Sequence, residues 1–276
     1  NKIIKGTKAN IDFIGFHGQT IYHNAKKKIS KQLGNGKVLS KITKKTVVYN
    51  FRKNDLKNGG EGAPLTPIFH RLIKNKHRLK LPLIILNIGG VANVTGIDAD
   101  ENLYSKDIGP GNCLIDQWIR CNSKMKFDDE GKISTSGKIN KIILSKALKS
   151  FKEKNHQKSY DIKDFDFSFV KELSLEDGAA TLIEYTTEIL YEHLKGAEKN
   201  IIITGGGRKN KFLVKSIKKK INNSLNLIDD FGINGDFVES QAFAYLAIRS
   251  FLKLPISFPE TTGVKKPCTG GIIIKY

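Results

Sequence analysis

The segment Asp107-Ile108-Gly109-Pro110-Gly111-Asn112 joins a carboxylate to a Gly-Pro-Gly turn ahead of an apolar-faced helix. A carboxylate within hydrogen-bond reach of a hydroxyl or water serves as a general base. It can equally do no more than cap the helix, and residue types alone leave the two readings even. Asp116 falls inside the predicted helix, facing either a cleft or solvent. His17-Gly18-Gln19-Thr20 sets three polar side chains on a turn after an apolar stretch, which suits hydrogen bonds to sugar hydroxyls. An isolated His in such a place is ordinarily structural. Glu239 opens a predicted helix, where the helix dipole alone favours an acidic residue.

Three glycine turns follow apolar strands or precede helices: Gly89-Gly90, Gly109 to Gly111, and Gly205-Gly206-Gly207. Glycine lets backbone approach a ligand closely, and a helix N-terminus offers N–H groups to anions. Any one such turn is more often only a tight turn. Three in one chain point to phosphate or nucleotide binding. None carries the Gly-Lys-Ser/Thr ending of a P-loop or the G-x-G-x-x-G dinucleotide pattern.

The elements that must position these groups alternate between strands and helices, the pattern of an α/β protein. The spacing predicts strands over Ile11–Phe16, Thr46–Phe51, Leu81–Ile88, Val91–Ile97, Asn200–Thr204 and Ile272–Lys275. Helices are predicted over Pro64–Arg78, Pro110–Arg120, Ser136–Phe151, Glu176–Leu194 (capped from Ser174), Asn210–Ile221 and Glu239–Leu252.

Composition bounds the function. With 39% apolar and 27% charged residues, the 276-residue chain reads as globular. No apolar run approaches the roughly 20 residues of a membrane-spanning helix. Three cysteines, Cys113, Cys121 and Cys268, suit neither a zinc site nor a disulfide framework and point to a reducing, cytoplasmic setting. The net charge of +20 raises a nucleic-acid partner, but only six of the 47 basic residues are Arg. Phosphate and base recognition favour the Arg fork. The lysines are spread along the chain, so the charge reads as solvated surface.

In order along the chain, several blocks resemble the anhydro-N-acetylmuramic acid kinase family. They are Ile14-Gly15-Phe16-His17-Gly18-Gln19-Thr20, Phe51-Arg52, Gly59-Gly60-Glu61-Gly62-Ala63-Pro64, and Leu86-Asn87-Ile88-Gly89-Gly90-Val91-Ala92-Asn93. Asp107-x-Gly-Pro-Gly-Asn-x-Leu-x-Asp116-x-Trp118 is the most distinctive of them. Phe127-Asp128-x-x-Gly131, Ser136-Gly137-x-x-Asn140, Asp177-x-x-Ala180-Thr181, Gly205-Gly206-Gly207-x-x-Asn210, Glu239-x-x-Ala242-Phe243 and Thr262-Gly263 follow. Three places differ from the family pattern: Asn50 stands where Asp is usual, Asn54 where a basic residue is usual, and the Lys158-Ser159-Tyr160-Asp161 loop is only partly kept.

The resemblance implies a duplicated ribonuclease-H-like fold of the actin and hexokinase type, with two domains around a cleft. Residues 1–80 would be the remainder of the sugar-side domain. Residues 81–276 would carry the phosphate and adenosine loops, with the last helix and strand able to return to the first domain. It implies a cell-wall-recycling kinase that opens 1,6-anhydro-N-acetylmuramic acid with water and phosphorylates O6 from ATP and Mg²⁺. Asp107 would be the catalytic base. His17, Gly18, Gln19, Arg52 and Glu239 would hold the sugar. Gly89, Gly90, Asn93, Gly109, Gly111, Asn112, Gly205, Gly206, Gly207 and Asn210 would hold ATP. No protein-bound metal is expected, and a homodimer is compatible. The alternatives are a kinase for another sugar, or an inactive basic binding protein with the same fold. Residue 1 is Asn, and no Gly-Thr-Ser-x-Asp-Gly-type phosphate loop precedes His17. The resemblance therefore implies a natural start further upstream, and no ATP turnover by the 276-residue chain alone.

Overall fold

The computed structural model describes residues 10–153, 160–196, 200–221 and 224–276. Strands β1 (Phe13–Phe16), β2 (Thr20–Asn24) and β3 (Ile29–Gln32) come first. Next are α1 (Gly36–Thr43), β4 (Thr46–Tyr49), α2 (Arg52–Lys57) and α3 (Pro67–His77). The middle of the chain forms β5 (Leu83–Ile88), β6 (Val91–Ile97), β7 (Leu103–Pro110), α4 (Cys113–Asn122), α5 (Lys132–Ser136), α6 (Lys141–Glu153) and α7 (Leu175–Leu194). The rest is β8 (Asn200–Thr204), α8 (Lys211–Lys220), β9 (Ser224–Leu227), α9 (Val238–Phe251), α10 (Pro259–Thr262) and β10 (Ile272–Ile274).

The chain divides into two compact units. One comprises Asn1–Arg78, Leu103–Ser105 and Phe237–Tyr276; the other comprises Leu79–Asn102 and Lys106–Asp236. Both combine mixed sheets with helices, so the α/β class read from the sequence holds.

In the first unit β4 is central, parallel to β1 and antiparallel to β10, and β2 pairs with β3 as a separate hairpin. Val48, Phe51, Leu65, Ile68, Phe243 and Leu246 form its core. Helix α9 lies close on β1 because Gly15 has no side chain; a Cβ there would stand 2.5 Å from the Phe243 carbonyl oxygen. That approach brings Phe243 to the strand end that carries His17.

The second unit holds a five-stranded sheet of order β7-β6-β5-β8-β9. β6 returns antiparallel to β5, while β8 and β9 run parallel to it and to each other. The apolar run Leu83–Ile88 is the middle strand, buried as its composition requires. Helices α4 and α7 supply much of the core, centred on Trp118, Ile119, Leu182 and Leu190. The Trp118 indole N–H donates to the Leu175 carbonyl at 2.9 Å, and its ring lies over Gly178, where a Cβ would be 2.4 Å from it.

Three predicted elements differ. The helix expected from Pro64 starts at Pro67, which occupies its first turn. The helix expected from Pro110 starts at Cys113, because β7 runs through Pro110. The helix expected over Ser136–Phe151 starts at Lys141, because Ser136 is the last residue of α5 and Gly137–Asn140 join the two helices. There a Cβ on Gly137 would lie 2.0 Å from the Glu176 carbonyl oxygen. The amides of Lys138 and Asn140 turn instead to the Asp177 carboxylate (2.7 Å) and the Thr181 hydroxyl (3.0 Å). Gly137, Asn140, Asp177 and Thr181 thus brace one helix junction.

Candidate active site

In the second unit the glycine turns meet. The β5–β6 hairpin turns at Gly89-Gly90, and the segment leaving β7 lies against it. The amides of Gly111 and Cys113 donate to the Gly90 carbonyl at 3.0 and 3.2 Å, and that of Asn112 donates to the Gly89 carbonyl at 2.7 Å. These three N–H groups are therefore engaged in holding the hairpin. A Cβ at Gly111 would stand 2.1 Å from the Gly89 oxygen. The Asn112 side-chain amide also donates to the Ile88 carbonyl at 3.2 Å.

The third turn closes on the same spot. Gly205 has φ +80°, and a Cβ there would lie 2.5 Å from Asn87 Oδ1 and 2.7 Å from the Ile88 oxygen. A Cβ at Gly207 would lie 2.3 Å from Ile88, and one at Gly206 would lie 3.5 Å from Asn112. Asn93 pairs across the hairpin with Asn87. Gly109 looks the other way, since a Cβ on it would meet Ile189 of α7 at 2.5 Å. Asn210 caps α8, accepting from the Leu213 amide at 2.9 Å.

Asp107 lies within β7, half-buried, two residues before Gly109. Its Oδ2 accepts from the Tyr160 amide at 2.9 Å. The adjacent Ile162 side chain stands over Gly90, 3.1 Å from where a Cβ would be. Burial first, and then the Asp107 charge, pushes the Tyr160 phenol up. Asp116 sits in the first turn of α4, half-buried; burial raises its carboxyl, Arg120 opposes this, and Asp128 adds to it.

The first unit holds a different construction. Arg52 opens α2 and donates from Nε to His17 Nε2 at 3.0 Å and from Nη1 to the Gly62 carbonyl at 2.7 Å. The His17 ring stacks on Phe243 with centroids 4.1 Å apart. Burial and then the Arg52 charge pull His17 down to about 4, with a hydrogen bond to the Gly18 backbone acting the other way. His17 is thus neutral at physiological pH. Burial lowers the Arg52 guanidinium from its ordinary value, opposed by the charges of Glu239 and then Asp55. Glu239 is exposed on the first turn of α9, four residues before Phe243, so both lie on one face of the helix. Gln19 is exposed at the turn. His17, Gly18, Arg52 and Glu239 are therefore brought together.

Sequence reasoning passed over two residues. Asp55 is buried and accepts from the Gly62 amide (2.6 Å) and the Thr262 hydroxyl (2.6 Å). Arg208 is buried beside the third glycine turn. It donates to Asp229 at 2.7 Å, Asp236 at 2.9 Å and the Gly205 carbonyl at 3.0 Å. A buried Arg directly after a glycine run was the available signal. Lys158 and Ser159 of the altered loop lie outside the described residues. Among the described residues no cluster of three or more His, Cys, Asp and Glu side chains could hold a metal ion. None of their helices is long and apolar enough to cross a membrane.

Residues 4–276 match the family model described as anhydro-N-acetylmuramic acid kinase. The anhydro-N-acetylmuramic acid kinase of Pelagibacter ubique strain HTCC1062 is 53% identical over 287 aligned positions, covering 99% of this chain and 76% of that protein. That of Zymomonas mobilis is 41% identical, covering 95% of this chain and 73% of that protein. Among solved structures, the activator of the 2-hydroxyisocaproyl-CoA dehydratase from Clostridium difficile with bound ADPNP aligns at 17% identity and a TM-score of 0.40, over 64% of this chain and 65% of that one.

Proposed function

The chain belongs to the anhydro-N-acetylmuramic acid kinase family, and from that premise we propose that it uses ATP and water to convert 1,6-anhydro-N-acetylmuramic acid into N-acetylmuramic acid 6-phosphate and ADP. The observation that carries the reading is the convergence of the Gly89-Gly90, Gly111-Asn112 and Gly205-Gly207 turns beside the strand bearing Asp107. The close packing of turn on turn at Gly111, Gly205 and Gly207 makes a backbone cradle, and backbone can approach phosphates where side chains cannot.

Asp107 takes the proton of a water attacking the anomeric carbon. The bond from that carbon to O6 breaks, and O6 receives the γ-phosphoryl group of ATP. Phosphoryl transfer depends on positioning and charge neutralisation more than on covalent chemistry by the protein. Tyr160 holds one carboxylate oxygen of Asp107 through its amide, which fixes the base without protonating it. Gly205, Gly206, Gly207 and Asn210 flank the adenosine, and Gly89, Gly90, Asn93, Gly111 and Asn112 form the phosphate side, while Gly109 packs away from them against Ile189. His17, Gln19, Arg52 and Glu239 hold the sugar, His17 as a neutral ring. Mg²⁺ enters with the ATP phosphates, largely water-held. The two units read as the halves of a duplicated ribonuclease-H-like fold. An antiparallel meander followed by two parallel strands in the second unit supports this.

The test is the product. Incubation of the purified protein, carrying the upstream segment that the resemblance implies, with ATP, Mg²⁺ and the anhydro sugar should give ADP and sugar 6-phosphate in equal amounts. ADP with inorganic phosphate and no phosphosugar would refute the reading.

A further inference from the structure

We propose that Asp55 is a positioning residue of the sugar-side site: through Gly62 and Arg52 it holds the His17 ring in one orientation and one tautomer. The proposal deepens the reading above, on which a sugar is the ligand His17 meets.

Asp55 lies in α2, three residues after Arg52, and is 1% exposed. A carboxylate so buried is costly unless both oxygens are hydrogen-bonded. Here Oδ2 accepts the Gly62 N–H at 2.6 Å and Oδ1 accepts the Thr262 hydroxyl at 2.6 Å. Its backbone carbonyl takes the Gly60 amide at 2.9 Å, and the Thr262 carbonyl takes the Glu61 amide at 2.7 Å. Three successive amides, of Gly60, Glu61 and Gly62, are thereby fixed. Only glycine fits at position 60, since a Cβ would stand 2.2 Å from Asp55 Oδ2.

The consequence runs outward from the pinned loop. The Gly62 carbonyl is set to accept Arg52 Nη1 at 2.7 Å, and that bond leaves Arg52 Nε aimed at His17 Nε2, 3.0 Å away. Because Nε2 accepts, the proton of neutral His17 is on Nδ1. Phe243 fixes the plane of the ring by stacking. The charged groups acting on Arg52 are Glu239 from α9 and Asp55 from its own helix. The second imidazole nearby is His23 of β2, whose ring carbon would lie 3.2 Å from a Cβ on Gly62. With the Asp55 carboxylate gone, Gly62 loses the partner of its N–H, and Arg52 is left with Glu239 as its acidic neighbour. His17 then loses the donor that selects its tautomer.

The experiment uses the protein labelled with ¹⁵N-histidine. Ring-nitrogen shifts distinguish the two tautomers without any ligand. Wild type should give one Nδ1–H signature for His17, and Asp55→Ala should convert it to a mixture. Asp55→Asn should restore most of it, because an amide can still accept from Gly62 while the Thr262 hydroxyl turns to accept from the amide. Affinity for the anhydro sugar should fall at least about tenfold in Asp55→Ala, with ATP affinity unchanged. A His17 signature identical in wild type and Asp55→Ala would overturn the proposal, as would an equal loss of sugar and ATP affinity. If Asp55→Ala does not fold, Thr262→Val, which removes the hydroxyl bonded to Asp55 Oδ1, carries the test, and an unmoved His17 signature in it overturns the proposal. A wild-type protein that binds no anhydro sugar would sink the function proposed above, while the tautomer measurement would still decide the role of Asp55.

Discussion

The two units build their sites from different materials. The second unit uses backbone: hairpin carbonyls accept from the Gly111, Asn112 and Cys113 amides, and Gly205 and Gly207 pack on Ile88. The first unit uses buried polar side chains: Asp55, Arg52 and His17 hold one another through Gly62. A backbone cradle is sensitive to volume and indifferent to pH. A side-chain relay depends besides on which groups carry protons.

The largest expected effect tests the volume half of this contrast. Gly205→Ala combines a left-handed φ of +80° with contacts of 2.5 and 2.7 Å to Asn87 and Ile88. It should cost at least about 2 kcal/mol of stability, from left-handed strain plus overpacking. Gly59→Ala in the first unit shares the positive φ, +88°, but its Cβ meets nothing within 4 Å. It should cost only the backbone strain, about 1 kcal/mol. Denaturant melts of the two variants measure the difference, and equal losses would erase the distinction.

A smaller effect concerns the exception in the second unit, its one described buried Arg clamp. Arg208 reaches Asp229, Asp236 and the Gly205 carbonyl as a fork. The two carboxylates raise its pKa against the lowering effect of burial. Lysine keeps the charge and loses the fork. Arg208→Lys should cost about 1–2 kcal/mol and raise the KM for ATP while leaving that for the sugar unchanged. A sugar-specific defect would place this clamp with the wrong substrate.

A separate effect is in pH. His17 and His70, both in the first unit, are pulled down to about 4, chiefly by burial. In the unfolded chain each takes up its proton near 6.5. Between those values the unfolded state holds more protons, so stability falls as pH drops from 6.5 towards 4 and levels off above 6.5. Fluorescence-detected melts across that window should show the loss, and His17→Gln should reduce it. A flat profile would remove the buried neutral histidines from the account.

The sequence exposed most of what is local and little of what is distant. Apolar runs ending in glycine marked β5 and β8 correctly, and Ser174 does cap α7. Pro64 reads as the helix start, but the helix begins at Pro67, directly before Ile68-Phe69. Gly137 looked tolerable inside a helix because its obstacle, the Glu176 carbonyl, is far along the chain. Asp55 reads as an ordinary helical acid, and its partner Thr262 is 207 residues away. Asp107 stood out in the sequence as a candidate, but its position inside β7 did not, since the Gly-Pro-Gly that follows mimics a helix start.

The most direct test of the account is kinetic, on Asp107 and Asp116 in parallel. Asn is nearly isosteric with Asp and still accepts the Tyr160 amide, but it takes no proton. Asp107→Asn should melt like wild type, keep its ATP affinity and lose about 10²–10⁴-fold in kcat, the usual contribution of general-base catalysis. Asp116→Asn, in the first turn of α4, should lose far less. A folded Asp107→Asn protein within a few-fold of wild type would contradict the account, and a larger loss at Asp116 would move the base there.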